Sequence, residues 1–205
     1  MFPDKKYDHA GTYAGDYFGE LSRAAAQING QAVERAAAIV LAAVQADRTV
    51  YACGNGGSAA ICNHLLCDFA KGMQSDTTLK PKVVSLSSPV ELITAIANDI
   101  SYDEVFAFQM KTAARPADVL ITVSSSGNSE NIVRAVQWAR NNGVRTIAFT
   151  GFEGGRSAEL AEVNVHVPSG NYGIVEDLHQ AAMHIMAQYM RMQNMDAGLI
   201  GQRKF

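Results

Sequence analysis

Val119-Leu120-Ile121-Thr122-Val123 runs directly into Ser124-Ser125-Ser126-Gly127-Asn128-Ser129, and a helical pattern follows to about Asn142. A short apolar, β-branched run bounded by a polar cluster that contains glycine reads as a buried strand. A strand, a tight polar loop and a helix form the unit from which parallel sheets are built, because the chain must cross over before it can pair in the same direction. The unit also occurs earlier. Thr49 to Cys53 reads as a strand and Gly54-Asn55-Gly56-Gly57-Ser58 as the turn out of it, with Ser58 placed to cap a helix to about Lys71, before Gly72. Lys82 to Leu86, entered from Pro81, is the second strand, and Pro89 opens the next helix. Arg145 to Thr150 is the fourth strand, ending in Gly151-Phe152-Glu153-Gly154-Gly155, and Val163 to Val167 is the fifth. A long helix runs from about Val175 to Met192. The expected fold is α/β: a doubly wound, five-stranded parallel sheet flanked by helices, with ligands at the carboxyl ends of the strands.

Ahead of the first strand, about Thr12 to Asp47 is helical and alanine-rich, with Asn29-Gly30 as the break between two helices. No linker, repeat or low-complexity tract divides the chain. Residues 1–205 are read as one domain and residues 1–47 as its helical N-terminal arm, packed on a partner subunit or over the domain's own sheet.

Composition narrows the class. Of 205 residues, 48% are apolar and 18% charged, which excludes intrinsic disorder. Seventeen basic against twenty acidic residues give a net charge of −3, so there is no electrostatic footprint for nucleic acid. The opening Met1-Phe2-Pro3-Asp4-Lys5-Lys6 lacks the apolar run of a secretory signal, and Ala36 to Val44 is too short to span a bilayer. Three cysteines do not make a disulfide framework; Cys62 and Cys67 are read as small buried hydrophobes. A cytoplasmic protein with neither nucleic-acid nor membrane partner is expected.

Two loops carry chemistry. Gly54-x-Gly56-x-x-Ala59 satisfies a dinucleotide fingerprint in form, yet the second strand ends in Ser85-Leu86-Ser87-Ser88, without the carboxylate that would bond a ribose. The second loop sets the hydroxyls of Ser124, Ser125, Ser126 and Ser129 around Gly127-Asn128 at a helix start. Hydroxyls, free backbone N–H groups and the positive end of a helix dipole suit a phosphate monoester.

Among the five histidines, His64 has Asp68 four residues on, one helical turn away on the same face. On the last helix, Gln180 and Glu176 precede His184 at successive four-residue steps, while Asp177, seven residues before it, shares that face equally well. His179 lies three residues after Glu176 and reads as part of a surface or interface pair.

Cys53-Gly54-Asn55-Gly56-Gly57-Ser58, Ala97-Asn98-Asp99, Ser124-Ser125-Ser126-Gly127-Asn128-Ser129 and Thr150-Gly151 together resemble the sugar isomerase (SIS) domain of the sedoheptulose 7-phosphate isomerases, in order and spacing over nearly the whole chain. The resemblance implies a homotetramer with active sites between subunits. It also implies conversion of sedoheptulose 7-phosphate to D-glycero-D-manno-heptose 7-phosphate through an enediol, on the way to surface polysaccharide. Carried over by position, Asn55, Gly56, Gly57, Ser58, Asp68, Asn98, Asp99, Ser124, Ser125, Ser126, Ser129 and Glu176 hold the substrate, and Asp68 and His184 form the acid–base pair.

Two positions depart from the family pattern: Asp68 replaces the usual glutamate and Glu176 the usual glutamine. Some members hold zinc at these positions, which here are His64, Asp68, Glu176 and His184. Two imidazoles and two carboxylates suit a tetrahedral Zn2+, and the second carboxylate raises the need for a cation. The alternative function is a non-catalytic phosphosugar-binding protein that regulates replication initiation through protein–protein association. The His64, Asp68 and His184 set favours the enzyme.

Overall fold

The computed structural model describes residues 2–205; Met1, the first residue of the expected arm, lies outside them. Five strands, β1 (Thr49–Gly54), β2 (Lys82–Ser85), β3 (Val119–Ser124), β4 (Arg145–Thr150) and β5 (Val163–His166), form one sheet in the order β2-β1-β3-β4-β5. Every pairing is parallel. The order reverses between β1 and β3, so the chain winds outward in both directions and leaves a crevice above that junction.

The alternation of side chains along each strand divides the core into two layers. Val50 and Ala52 of β1, Val119, Ile121 and Val123 of β3, and Ile147 and Phe149 of β4 face α2 (Gly30–Gln45), α3 (Gly57–Cys67) and α8 (Tyr172–Asn194). Tyr51, Cys53 and Leu120 face α4 (Val90–Asp99), α5 (Val105–Ala113) and α6 (Glu130–Asn141) on the other side. Side chains such as Ile147 and Phe149 are fully buried, each contributing about 1.5–3 kcal/mol through transfer from water.

The break at Asn29 is an N-cap, whose side chain accepts from the Gln31 N–H. Of the N-terminal stretch, α2 covers the sheet directly, whereas α1 (Ala10–Ala26) lies on α8 through Tyr17, Leu21 and Ala24. Two helices were absent from the sequence expectation: α5, which follows a short 3-10 turn, and α7 (Gly155–Leu160), which follows β4. The first loop also differs. α3 begins at Gly57 with Gly56 as its N-cap, so Ser58 sits buried inside the first turn and caps nothing. Cys53 and Cys62 are buried, which raises both thiol pKa values, but Cys67 is exposed and is not the buried hydrophobe expected. No helix among the described residues is long and apolar enough to cross a membrane.

Candidate active site

The loops after β1 and β3 leave adjacent strands at the same level, Gly54 pairing in register with Val123. The serine loop is built around glycine at one decisive position. Gly127 has φ of +62°, and a β-carbon there would stand 1.8 Å from the Gly154 carbonyl oxygen, so the two loops pack backbone against backbone. Gly151 N–H donates to Ser125 O and Ser157 N–H to Gly127 O, both at 2.9 Å. Arg156 adds two links, its backbone N–H donating to Asn128 Oδ1 and its guanidinium to Asn128 O, each at 3.0 Å.

Within this braced loop the hydroxyls divide. Ser124 Oγ accepts from Gly127 N–H and Ser126 Oγ from Asn128 N–H, so both shape the loop. Ser125 Oγ is buried without a hydrogen-bond partner, and Ser129, the N-cap residue of α6, makes no side-chain capping bond. The loop therefore presents uncommitted hydroxyls at the positive end of a helix, as a bound phosphate monoester requires.

The first glycine loop is arranged differently. The Glu176 carboxylate comes down on Gly57, where a β-carbon would stand 2.5 Å from its Oε2. A carboxylate of the protein already occupies the positive start of α3, which disfavours a phosphate there and directs it to the serine loop. Asn55 forms a reciprocal amide pair with Asn131 (3.0 and 2.9 Å), and Tyr102 Oη donates to Asn55 Oδ1 at 2.9 Å. Asn98 and Asp99, exposed at the end of α4, bond to each other at 2.8 Å.

The histidines meet further along the same helix, in the last turn of α3. His64 Nε2 lies 3.1 Å from His184 Nε2, and Asp68 Oδ2 lies 3.3 Å from each. The four-residue step joins His64 to Asp68 as expected, and α8, packed against α3, brings in His184. Asp68 opens a single π-turn (Asp68–Gly72) that continues α3, a local widening frequent at functional sites. Asp68 Oδ2 is buried and has no hydrogen-bond partner. A cavity of about 290 Å³, lined by Asp68, His184, Gln188 and Arg191 among others, opens beside the three.

Among the described residues, His64, Asp68 and His184 make a group able to hold a metal ion. In a tetrahedron the donor–donor edge is about 1.6 times the metal–donor bond, so Zn–N and Zn–O bonds of 2.0–2.2 Å ask for edges of roughly 3.3–3.6 Å. The three observed separations match that triangle to within a few tenths of an ångström, and the orphaned oxygen of Asp68 supplies the charge.

Elsewhere on α8 the expectation for His179 is corrected, and the acids take other partners. Neither acid on the His184 face bonds to it. The Glu176 carboxylate lies against Gly57, outside the group of His64, Asp68 and His184. Asp177 accepts from Tyr17 Oη at 2.6 Å. His179 is no surface residue: it is fully buried, and its Nε2–H donates to Thr150 O at 3.0 Å. Burial pushes its pKa down to about 4. Tyr102, Asn131, Arg156 and Gln180 were not anticipated at the site. Only Gln180 left a signal, its four-residue step from His184.

The fold and the site define a SIS-domain protein, and the SIS domain family profile matches residues 15–151. Phosphoheptose isomerase of Rhodospirillum rubrum is 36% identical over 155 residues, 76% of this chain and 82% of its own length. Phosphoheptose isomerase of Akkermansia muciniphila is 35% identical over 161 residues, 78% of this chain and 85% of its own. The solved phosphoheptose isomerase of Neisseria gonorrhoeae superposes with a TM-score of 0.81 at 32% identity, covering 89% of this chain and 98% of that one. The chain belongs to the phosphoheptose isomerase family.

Proposed function

We propose that the protein interconverts sedoheptulose 7-phosphate and D-glycero-D-manno-heptose 7-phosphate in the cytoplasm, supplying heptose for surface polysaccharide. In this reading residues 1–205 act as one SIS domain with residues 1–47 as its helical arm, and the working unit is a homotetramer. The observation that carries the reading is the approach of Asp68 Oδ2 to His184 Nε2, 3.3 Å apart, in a chain whose serine loop also keeps the Ser125 and Ser129 hydroxyls uncommitted.

The phosphate lies against Ser125, Ser126 and Ser129, with Ser124 shaping the loop beneath it. Asn55, Asn98, Asp99 and Glu176 bond the sugar hydroxyls, and Gly56, Gly57 and Ser58 form the turn that lets the chain approach. Moving the carbonyl from C2 to C1 requires loss of a C1 proton and gain of a proton on the C2 oxygen, which gives the enediol. Loss of the proton on the C1 oxygen and delivery of one to C2 then completes the aldose. Asp68 and His184 exchange these protons, one as acid while the other is base.

In this reading His64, Asp68 and His184, with Glu176 as the fourth expected ligand, would hold Zn2+, and such a dication would polarise the substrate oxygens and lower the cost of the enediol's charge. Incubation of the purified protein with sedoheptulose 7-phosphate should yield the aldose phosphate. Absence of product in the presence of added zinc would overturn the reading. The replication-regulator alternative has no observation in its favour, because a binding module does not require a carboxylate and an imidazole held within proton-transfer distance.

A further inference from the structure

Tyr102 lies in the short 3-10 turn that follows α4, beside the first glycine loop. We infer that Tyr102 is a further substrate-binding residue, whose phenol oxygen accepts a hydrogen bond from a hydroxyl of the sugar chain. This rests on the reading that the protein isomerises a phosphosugar.

One backbone group fixes the direction of every hydrogen bond around Tyr102. The Ile132 N–H can only donate, and it reaches Asn131 Oδ1 at 3.0 Å. That contact decides which end of the Asn131 amide is oxygen, so its Nδ2 is the group that donates to Asn55, at 2.9 Å. The atom it meets is therefore Asn55 Oδ1, and Asn55 Nδ2 donates back at 3.0 Å. Tyr102 Oη stands 2.9 Å from the same Asn55 Oδ1. A carbonyl oxygen cannot donate, so the phenol proton is committed to it. With two donors on Asn55 Oδ1, both of its lone pairs are filled.

The groups left over are a matched set. Tyr102 Oη meets no donor among the described residues, and Tyr102 is 53% exposed, so its lone pairs are open to a ligand. Asn55 keeps one N–H without an acceptor among the described residues. The amide is planar, with the Tyr102 contact on one flank and the free N–H on the other, so the two serve different oxygens of an extended ligand. An ionised phosphate or a carbonyl has no proton to give to Tyr102, whereas a hydroxyl does. The position thus takes the polyol part of a phosphosugar and refuses its phosphate end. Tyr102 is also held in place: Ser101 Oγ accepts from Asp103 N–H at 3.1 Å, and Glu104 accepts from Arg134 of α6 at 2.9 Å. Asn55 follows β1 and Asn131 lies in the first turn of α6, so the three residues bridge the two loops where the strand order reverses.

The test compares the wild type with Tyr102→Phe, which removes the oxygen and keeps the ring. Tyr102 is more than half exposed, so the variant should fold and melt as the wild type does. Its kcat/KM for sedoheptulose 7-phosphate should fall about 3- to 10-fold, the range of one neutral hydrogen bond. Inhibition by inorganic phosphate, which has no carbon chain, should be unchanged. Across a series of monodeoxy ketose 7-phosphates, one member should be turned over equally well by both proteins, because the hydroxyl that Tyr102 reads is already missing. Wild-type kcat/KM in Tyr102→Phe would overturn the inference and leave the isomerase reading intact. So would an equal loss for every deoxy sugar, or weaker inhibition by inorganic phosphate, since either makes Tyr102 a structural support only. A wild-type chain inactive on sedoheptulose 7-phosphate with added zinc overturns the isomerase reading and this inference together.

Discussion

Gly127 and Gly154 touch through their backbones: a β-carbon on Gly127 would stand 1.8 Å from the Gly154 carbonyl oxygen. The serine loop after β3 is therefore held by the loop after β4 rather than by its own turn alone. Gly127→Ala adds a positive φ to that overlap, a conformation that by itself costs of order 1 kcal/mol or more for a residue with a side chain. The variant should melt several degrees lower and lose phosphosugar affinity in calorimetry. Unchanged affinity would show that the loop does not depend on this contact.

His184→Ala removes one member of the proton-exchanging pair and should lower turnover by roughly 10²-fold or more, as the loss of an acid–base group does. The side chain is partly exposed, so the melting temperature of the metal-free protein should change little. Asp68→Asn keeps the shape of the carboxylate and should cost as much in rate. Wild-type kcat in either variant would remove that residue from the reaction.

Replacement of both Ser126 and Ser129 by alanine tests the phosphate position. The Ser129 hydroxyl makes no capping bond to α6, so its loss should leave stability within a few tenths of a kcal/mol. A hydrogen bond to a charged group contributes about 1.5–3 kcal/mol, so the double variant should bind the phosphosugar at least tenfold more weakly. An unaltered Kd would move the phosphate to the first glycine loop, against Glu176.

His179 gives the fold a pH dependence separate from catalysis. Burial lowers its pKa from 6.5 to about 4, its Nε2–H is committed to Thr150 O, and its Nδ1 is buried without a partner. The unfolded chain binds the proton more readily between those two values, so stability is full above pH 6.5 and falls as the pH drops towards 4, by up to roughly 3 kcal/mol. His166, also lowered by burial, adds in the same direction. Urea unfolding at a series of pH values should show this decline. His179→Leu should flatten most of it, and an unchanged slope in that variant would assign the decline to other groups.

The strands were legible because a parallel sheet buried on both faces needs near-continuous apolar runs, as Val119 to Val123 and the Ile147-Ala148-Phe149 centre of β4 provide. The helices that escaped notice are short: α7 has six residues and starts on a glycine, and α5 has nine, too few for a clear period. His179 was misplaced for another reason. Its spacing from Glu176 permits a surface pair, but Val175, Ala182 and Met186 lie on the buried side of α8, and His179 follows them into the core.

By itself the sequence determined whatever lies within one segment. Strand, loop and helix follow one another in order, the four hydroxyls gather at one helix start, and His64 shares a turn with Asp68. These relations are set by backbone geometry over a few residues, and no distant contact is needed to impose them. Only the tertiary structure decided which groups meet across segments. His184 reaches His64 over 120 positions of sequence, Glu176 settles on Gly57 instead of beside His184, and Arg156 braces the serine loop from the far side of β4. Several acids and amides of α8 had a spacing that would have served. The crossing of α3 over α8 fixed which of them lay within hydrogen-bonding distance, and spacing along a single helix carries no record of that crossing.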